Sequence, residues 1–290
     1  MNQWYQKIIV LVVCSLIYNA LLAPPATPRS PIPGKPQSEE ELSKKMLSKL
    51  SFEDLKKRKN ELIASGSKEI AIKYLQKMIG LVNTVEEISE LMLELADIYF
   101  DLGTLEKSQL LYEEFARLYP GNEYAEYAAY KSILCGFYGM LEIDRDQTKT
   151  KETIKQSELF LAKSTRFKEY SGEVKKILTT CEEHLFNSEL KVARFYASQF
   201  RNEAAKVRIA NIEKEFTGKI PNLKPRLLLA EVEFATWQGD KKAAEQKATE
   251  LAQNFPDFEI PAKTKSRITK PEKPSLTIAK NGNRNFANVF

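Results

Sequence analysis

The stretch Leu95–Pro120, LADIYFDLGTLEKSQLLYEEFARLYP, decides the fold. Leu95-Ala96 sets a small residue beside a large one, Tyr99 follows about one helical turn later, and Gly103 ends the segment. Beyond it Ser108, Tyr112 and Phe115 recur at helical spacing, and Pro120 closes the run. Residues three and four apart share a helix face, so each half reads as an amphipathic helix, with a glycine turn between them. Small residues at 96 and 108 let the two helices cross closely. Such a pair cannot bury its apolar stripe alone and needs neighbours.

The pattern returns along the chain. Gly66 is followed by Ala71, Leu75 and Met78 at the offsets of Ser108, Tyr112 and Phe115 from Gly103. Gly239 is followed by Ala244, Ala248 and Leu251, with Pro256 in the closing position. A further copy has Ala193 and Tyr196, then Ala205, Ile209 and Ile212, with Phe200 in the glycine slot. The third copy is stretched: Tyr130–Met140 reads as its first helix, and a polar insert separates it from a second helix near Lys151–Lys163. These are the spacings of a tetratricopeptide (TPR) repeat. Residues 39–260 are therefore predicted to be all-α, a right-handed superhelix of about five TPR helix pairs. Ser51 before Phe52-Glu53-Asp54 and Thr84 before Val85-Glu86-Glu87 are N-cap signals. Tyr119-Pro120-Gly121-Asn122 and Asn254-Phe255-Pro256-Asp257 are stop-and-turn signals. An array of this kind holds other proteins rather than transforming a small molecule.

The two ends differ from the middle. Ile8–Ala23 is an apolar run behind Lys7, so residues 1–23 read as a signal peptide or membrane anchor. Three forms stay open: lipidation at Cys14 behind Leu11-Val12-Val13, cleavage after Ala23, and an uncleaved anchor. Residues 24–38, PPATPRSPIPGKPQS, are an extended Pro-rich linker. Residues 261–290 are expected to be a basic disordered tail, with Lys263, Lys265, Arg267, Lys270, Lys273, Lys280 and Arg284 against Glu272 alone. The net charge of +5 thus leaves the rest of the chain near −1, which speaks against a nucleic-acid-binding domain. The tail has a sharper reading as well, attraction to anionic lipid headgroups or to an acidic partner.

Catalytic chemistry finds no foothold. His184 is the only histidine and follows Glu182-Glu183 on a helix, where a structural role is expected. There is no glycine-rich phosphate loop and no Cys-x-x-Cys pair, so no metal site, cofactor or catalytic residue is assigned. Asp144-Arg145-Asp146 reads as a salt-linked cap, with Asp146 or Thr148 at the start of the next helix. Cys135 and Cys181 lie on apolar faces as small hydrophobes, and pairing between them stays open.

Three stretches carry a resemblance. Tyr130-Lys-Ser-Ile-Leu-Cys-Gly136 is followed by the insert Asp144-Arg-Asp-Gln147, Ser188–Tyr196 reads SELKVARFY, and Ala204-Ala-Lys-Val-Arg208 ends in arginine. Together they resemble the BamD family, TPR lipoproteins of the bacterial outer-membrane β-barrel assembly machine, over roughly residues 40–258. Phe200, Val207, the lipobox at Cys14 and the long basic tail depart from that family's pattern. The resemblance implies a non-enzymatic scaffold at the periplasmic face of the outer membrane, or else anchored in the inner membrane and facing the periplasm. Its implied partners are the periplasmic domain of the barrel-assembly protein, docked through Arg208, Glu189 and Tyr196, and unfolded outer-membrane clients. Client contact falls to inward residues of the first helices: Asn60 and Ile63, Asp97 and Phe100, and Phe137. The competing expectation is a TPR adaptor in another envelope process, such as secretion, cell-wall or division coordination.

Overall fold

The computed structural model describes residues 49–269. The expectations for the apolar run 1–23, for Cys14, for the linker 24–38 and for residues 270–290 lie outside them. The described chain forms helices α1 (Phe52–Ala64), α2 (Lys68–Ile79), α3 (Val85–Asp101), α4 (Leu105–Leu118), α5 (Ala125–Tyr138) and α6 (Thr148–Leu161). These are followed by α7 (Ser171–Ser198), α8 (Asn202–Phe216), α9 (Leu223–Gln238), α10 (Lys241–Asn254) and α11 (Ala262–Thr269). Among the described residues there is no strand, and no helix is long and apolar enough to cross a membrane. The fold is all-α and TPR-like, with consecutive helices packed on one another.

Local chemistry sets the helix ends. Ser51 Oγ accepts from the Asp54 N–H at 3.2 Å, and Asp54 Oδ2 accepts from the Ser51 N–H at 3.3 Å, a reciprocal cap for α1. Thr84 Oγ1 accepts from the Glu87 N–H at 3.3 Å and starts α3. The turns inside four repeats share one hydrogen-bond pattern. After α1, the Gly66 N–H bonds Ile63 O at 3.0 Å and the Ser67 N–H bonds Leu62 O at 2.8 Å. The same two bonds recur after α3 (Gly103 to Phe100, Thr104 to Tyr99), α7 (Phe200 to Ala197, Arg201 to Tyr196) and α9 (Gly239 to Thr236, Asp240 to Ala235). This is the Schellman closure, which needs a left-handed residue just past the helix. Gly66, Gly103 and Gly239 take it at φ +80°, +69° and +75°, and Phe200 takes it at +58°. The glycine slot read at Phe200 is therefore a glycine-like backbone filled by a side chain.

The third repeat lacks that closure and is stretched as expected, but its first helix begins earlier than the sequence suggests. Asn122 Oδ1 accepts from the Tyr124 N–H at 2.8 Å, and α5 starts at Ala125 rather than Tyr130. Asp146 Oδ1 accepts from both the N–H and the hydroxyl of Thr148 at 2.8 Å, and α6 starts at Thr148, where the reading of Asp146 or Thr148 as its start puts it and a little before Lys151. Those two bonds hold the Asp146 carboxyl below its ordinary range. Ala262–Thr269, inside the stretch expected as a disordered tail, are helical. Pro261 O accepts the Thr264 and Lys265 N–H groups, and Thr264 is buried.

The described residues divide into two compact units that part between Ser188 and Glu189, inside α7. In the first, Leu55, Leu75, Met78, Leu95, Ala96, Tyr99, Tyr112 and Phe115 form one buried core, and Ile133, Phe160, Phe167, Val174, Ile177 and Cys181 a second. Ala96 and Ser108 are fully buried where α3 and α4 cross, and Ser108 Oγ donates to Ala96 O at 2.8 Å. Gly136 does the same service between α5 and α6: a Cβ there would meet Thr153 Oγ1 at 2.6 Å. In the second unit Ala193, Ala205, Ile209, Ile212, Ala244 and Leu251 are buried, at the positions the repeat spacing assigns, and Ala248 is half-buried.

Candidate functional site

The first unit assembles a polar–aromatic cluster on α3, α4 and α5. Asp97 Oδ1 accepts the phenol protons of Tyr112 at 2.5 Å and Tyr127 at 2.7 Å. Burial, with Asp97 beside it, pushes the Tyr112 and Tyr127 phenols well above their ordinary value, so both are donors at neutral pH. Lys131 Nζ lies 3.4 Å from the centroid of the Phe100 ring and within 6 Å of the Tyr112 and Tyr127 rings. A cation over a ring face in a half-buried site is favourable. Phe100 and Phe137 both pack against Tyr138, at 6.1 and 5.7 Å between centroids, and Tyr138 is 58% exposed. Tyr130 stacks on Tyr170 at 4.6 Å, which also approaches Tyr127.

Of the residues assigned to a client groove, the structure thus brings together Asp97, Phe100 and Phe137. Asn60 is exposed on α1, and Ile63 is half-buried against the first core, one repeat earlier. Asp97 is committed to two tyrosines, so its role is to set the aromatic cluster rather than to stand free for a ligand. Lys131, Tyr127, Tyr138 and Tyr170 were not singled out from sequence. The signal was there for α5, since 127, 131 and 138 recur at helical spacing on one face.

Beside the cluster an acidic cleft of about 430 Å³ is lined by Glu86, Glu90, Glu94, Asp97 and Glu123, with Phe115 and Tyr124. Glu94 also receives the buried Lys59 from α1, Nζ lying 2.6 and 2.7 Å from its two oxygens. That ion pair ties α1 to α3 behind the cleft.

The second unit places Arg208 on α8 against Glu189 on α7, Nη1 to Oε2 at 2.9 Å. The helical neighbours Glu203 and Glu215 are not its partner here; Glu203 instead receives Lys206 at 3.0 Å. The Arg208 side chain is 41% exposed, so the pair adds little to stability. A guanidinium has five donors in a fixed fork, which suits it to a carboxylate on another surface. Tyr196 is half-buried, with its ring edge-on to Phe195 at 5.9 Å. Phe195, Phe200 and Val207 are 60%, 69% and 59% exposed, large apolar side chains that the core does not use.

The remaining candidates resolve as structural. Cys135 and Cys181 are free and buried in different cores, Cys135 beside Ser108 Oγ and Cys181 beside Met140 Sδ. Burial pushes the Cys181 thiol up to about 12, so it is no thiolate at neutral pH. His184 Nε2 meets Leu141 O at 2.8 Å, and since a carbonyl only accepts, that nitrogen carries the proton and staples α7 to the insert. Among the described residues no group of three His, Cys, Asp or Glu is placed to hold a metal ion.

Stacked helix pairs closed by repeated Schellman turns define a TPR-like helical-repeat protein. A sequence profile of the YfiO family, described as outer membrane lipoprotein, matches residues 53–251, more than half of the chain, and the chain belongs to that family. It is also similar to the outer membrane protein assembly factor BamD of Caulobacter vibrioides, 27% identical over 145 residues. Those residues are 50% of this chain and 46% of that protein, so the chain spans about half the length of this relative.

Proposed function

We propose that the chain is a non-enzymatic scaffold in the assembly of outer-membrane β-barrel proteins, working at the periplasmic face of the outer membrane. The observation that carries the reading is the family match across residues 53–251, joined to a relative named as an outer membrane protein assembly factor. The mechanism is positioning. On the second unit, Arg208 and Glu189, with Tyr196 nearby on α7, dock the periplasmic domain of the barrel-assembly protein. Exposed Phe195, Phe200 and Val207 add apolar contact area of the kind that dominates interface energetics. On the first unit, Phe100, Phe137 and Tyr138 receive aromatic residues of an unfolded client, with Lys131 and Asp97 holding the rings in place. Asn60 and Ile63 extend that surface toward α1.

A cross-linked pull-down from native membranes tests this, using the full chain beside an Arg208→Glu form. The reading expects a barrel-assembly protein to be recovered with the parent and at least tenfold less with Arg208→Glu, the loss typical of reversing a charge in an interfacial pair. If no barrel-assembly protein is recovered with either form, the reading fails, and the envelope partner recovered instead would define an adaptor for another process.

A further inference from the structure

Between α4 and α6, with α5 beneath, lies a cleft of about 280 Å³ that the proposed docking and client surfaces do not use. Glu113 on α4 and Gln156 on α6 meet across it, Gln156 Nε2 donating to Glu113 Oε1 at 2.6 Å. One helical turn further along each helix, the walls become Ala116 and Arg117 on α4 and Phe160 on α6. Ile133, Phe160 and Phe167 form a buried floor, the two Phe rings 4.9 Å apart between centroids. Leu159 stands at the rim, 57% exposed. Past α6 the chain runs Lys163-Ser-Thr-Arg166-Phe167-Lys168 without an acid. Lys163 Nζ and Arg166 Cζ lie 5.2 and 5.8 Å from the centroid of the Phe167 ring, and neither has an ion-pair partner among the described residues. Arg117, by contrast, is taken up by Glu114, and Glu113 by Gln109, Ser132 and Gln156. The cleft is thus apolar in its middle, with two uncommitted cations beyond its α6 wall.

We propose that this cleft docks an amphipathic helix of a partner protein, which lays an apolar stripe over Leu159 and the buried floor and sets a carboxylate at Lys163 and Arg166. The charge of the occupant follows from the two unpaired cations, since a carboxylate there gains partners that the fold does not supply. Its scale follows from the cleft, which falls below the roughly 300 Å³ of pockets for drug-sized ligands and holds one or two large side chains. Its helical form follows from the walls. Among the described residues there is no strand whose edge a peptide could extend. The walls are helices that spend their backbone groups within themselves, so an extended peptide would leave its own unpaired. A helix satisfies its own backbone and presents side chains at i, i+3 and i+4 to such a groove. The inference rests on the cleft alone and not on the barrel-assembly role.

The test is binding of a labelled helical peptide of about 15 residues, four turns, to the full chain, read by fluorescence anisotropy. Its stripe is Leu flanked by Glu, and a second peptide carries Lys in place of each Glu. The full chain should prefer the Glu peptide by about tenfold, because exposed ion pairs form with one peptide and like charges meet with the other. Lys163→Glu with Arg166→Glu should invert that preference. Lys175→Glu with Lys176→Glu makes the same change in net charge at exposed α7 residues outside the cleft and should leave it as it was. Leu159→Ser should weaken both peptides about fivefold through lost apolar contact. Lys163, Arg166 and Leu159 are all exposed, which spares the fold, and an inverted preference is a gain that a misfolded variant does not give. No binding of either peptide, equal binding of both, or an inversion produced as well by the α7 pair overturns the proposal. So does binding to phosphatidylglycerol vesicles that Lys163→Glu with Arg166→Glu abolishes while neither peptide binds, which would put a bilayer at these cations instead. The pull-down with Arg208→Glu is unaffected by any of these results.

Discussion

The aromatic residues of α3–α5 and those at the α7–α8 turn are treated in opposite ways. In the first region Tyr112 and Tyr127 spend their hydroxyls on Asp97, and Lys131 sits on Phe100. In the second, Phe195 and Phe200 stand mostly in solvent, and Phe200 does so from a backbone conformation that a glycine would hold more easily. The first region is stabilised by what its aromatic residues do within the fold. The second keeps apolar surface that adds little to the fold, at a local conformational cost, and such surface is the kind selected for contact with another molecule.

The largest way to break this contrast is at Asp97. Replacing it with Leu leaves the fully buried Tyr112 hydroxyl without an acceptor and should destabilise the protein by about 1–3 kcal/mol in denaturant unfolding. Asp97→Asn retains an acceptor oxygen in the same place and should lose clearly less. Equal losses for the two would mean that the carboxylate's charge, and not its acceptance of two phenol protons, holds the cluster. The repeat phase told which faces of α3 and α4 are buried, because Ala96, Ser108, Tyr112 and Phe115 follow a fixed pitch. It could not tell that Asp97 joins Tyr127, 30 residues away, nor that Tyr170 reaches Tyr130 from outside any repeat position. Those contacts depend on how one helix pair is set against the next, which a single helix's periodicity does not encode. The helix start at Ala125 was missed for a different reason: Asn122 accepts the Tyr124 N–H from inside a turn, whereas the start at Thr148 was legible from Asp146 and Thr148 themselves. Arg208 and Glu189 were reached through resemblance, whereas exposed Phe195 carries no periodic signal at all.

The second test concerns how firmly α5, which carries Tyr127, Lys131, Phe137 and Tyr138, is seated on α6. A methyl at Gly136 would lie 2.6 Å from Thr153 Oγ1, and Thr153 is itself fully buried with its hydroxyl bonded to Lys149 O. Overpacking of this kind costs about 1–3 kcal/mol, offset by roughly 1 kcal/mol of better helix propensity. Gly136→Ala should therefore destabilise by about 1 kcal/mol net in the parent. In a Thr153→Ala background the clash is gone, and the same change should become neutral or stabilising. A double-mutant cycle with no coupling would show that the close approach of α5 and α6 is not what positions the aromatic face.

The smallest effect is the most discriminating, because stability and partner recovery are expected to move in opposite directions. Phe200 holds φ +58° and closes its helix with the same two hydrogen bonds that Gly103 makes after α3. A left-handed conformation costs a residue with a Cβ about 1–2 kcal/mol, and glycine returns part of that gain through its freer unfolded chain. Phe200→Gly should thus stabilise by about 0.5–1 kcal/mol, while Gly103→Ala should destabilise by a similar amount. If Phe200 is only a poor residue in a turn, the glycine form should unfold later and match the parent in recovery of the proposed barrel-assembly partner. If its ring is a docking contact, the glycine form should unfold later and yet recover less of that partner. That second outcome would explain why a Phe stands in a slot where the other three Schellman turns place glycine: the strain in the turn is the cost of presenting the ring.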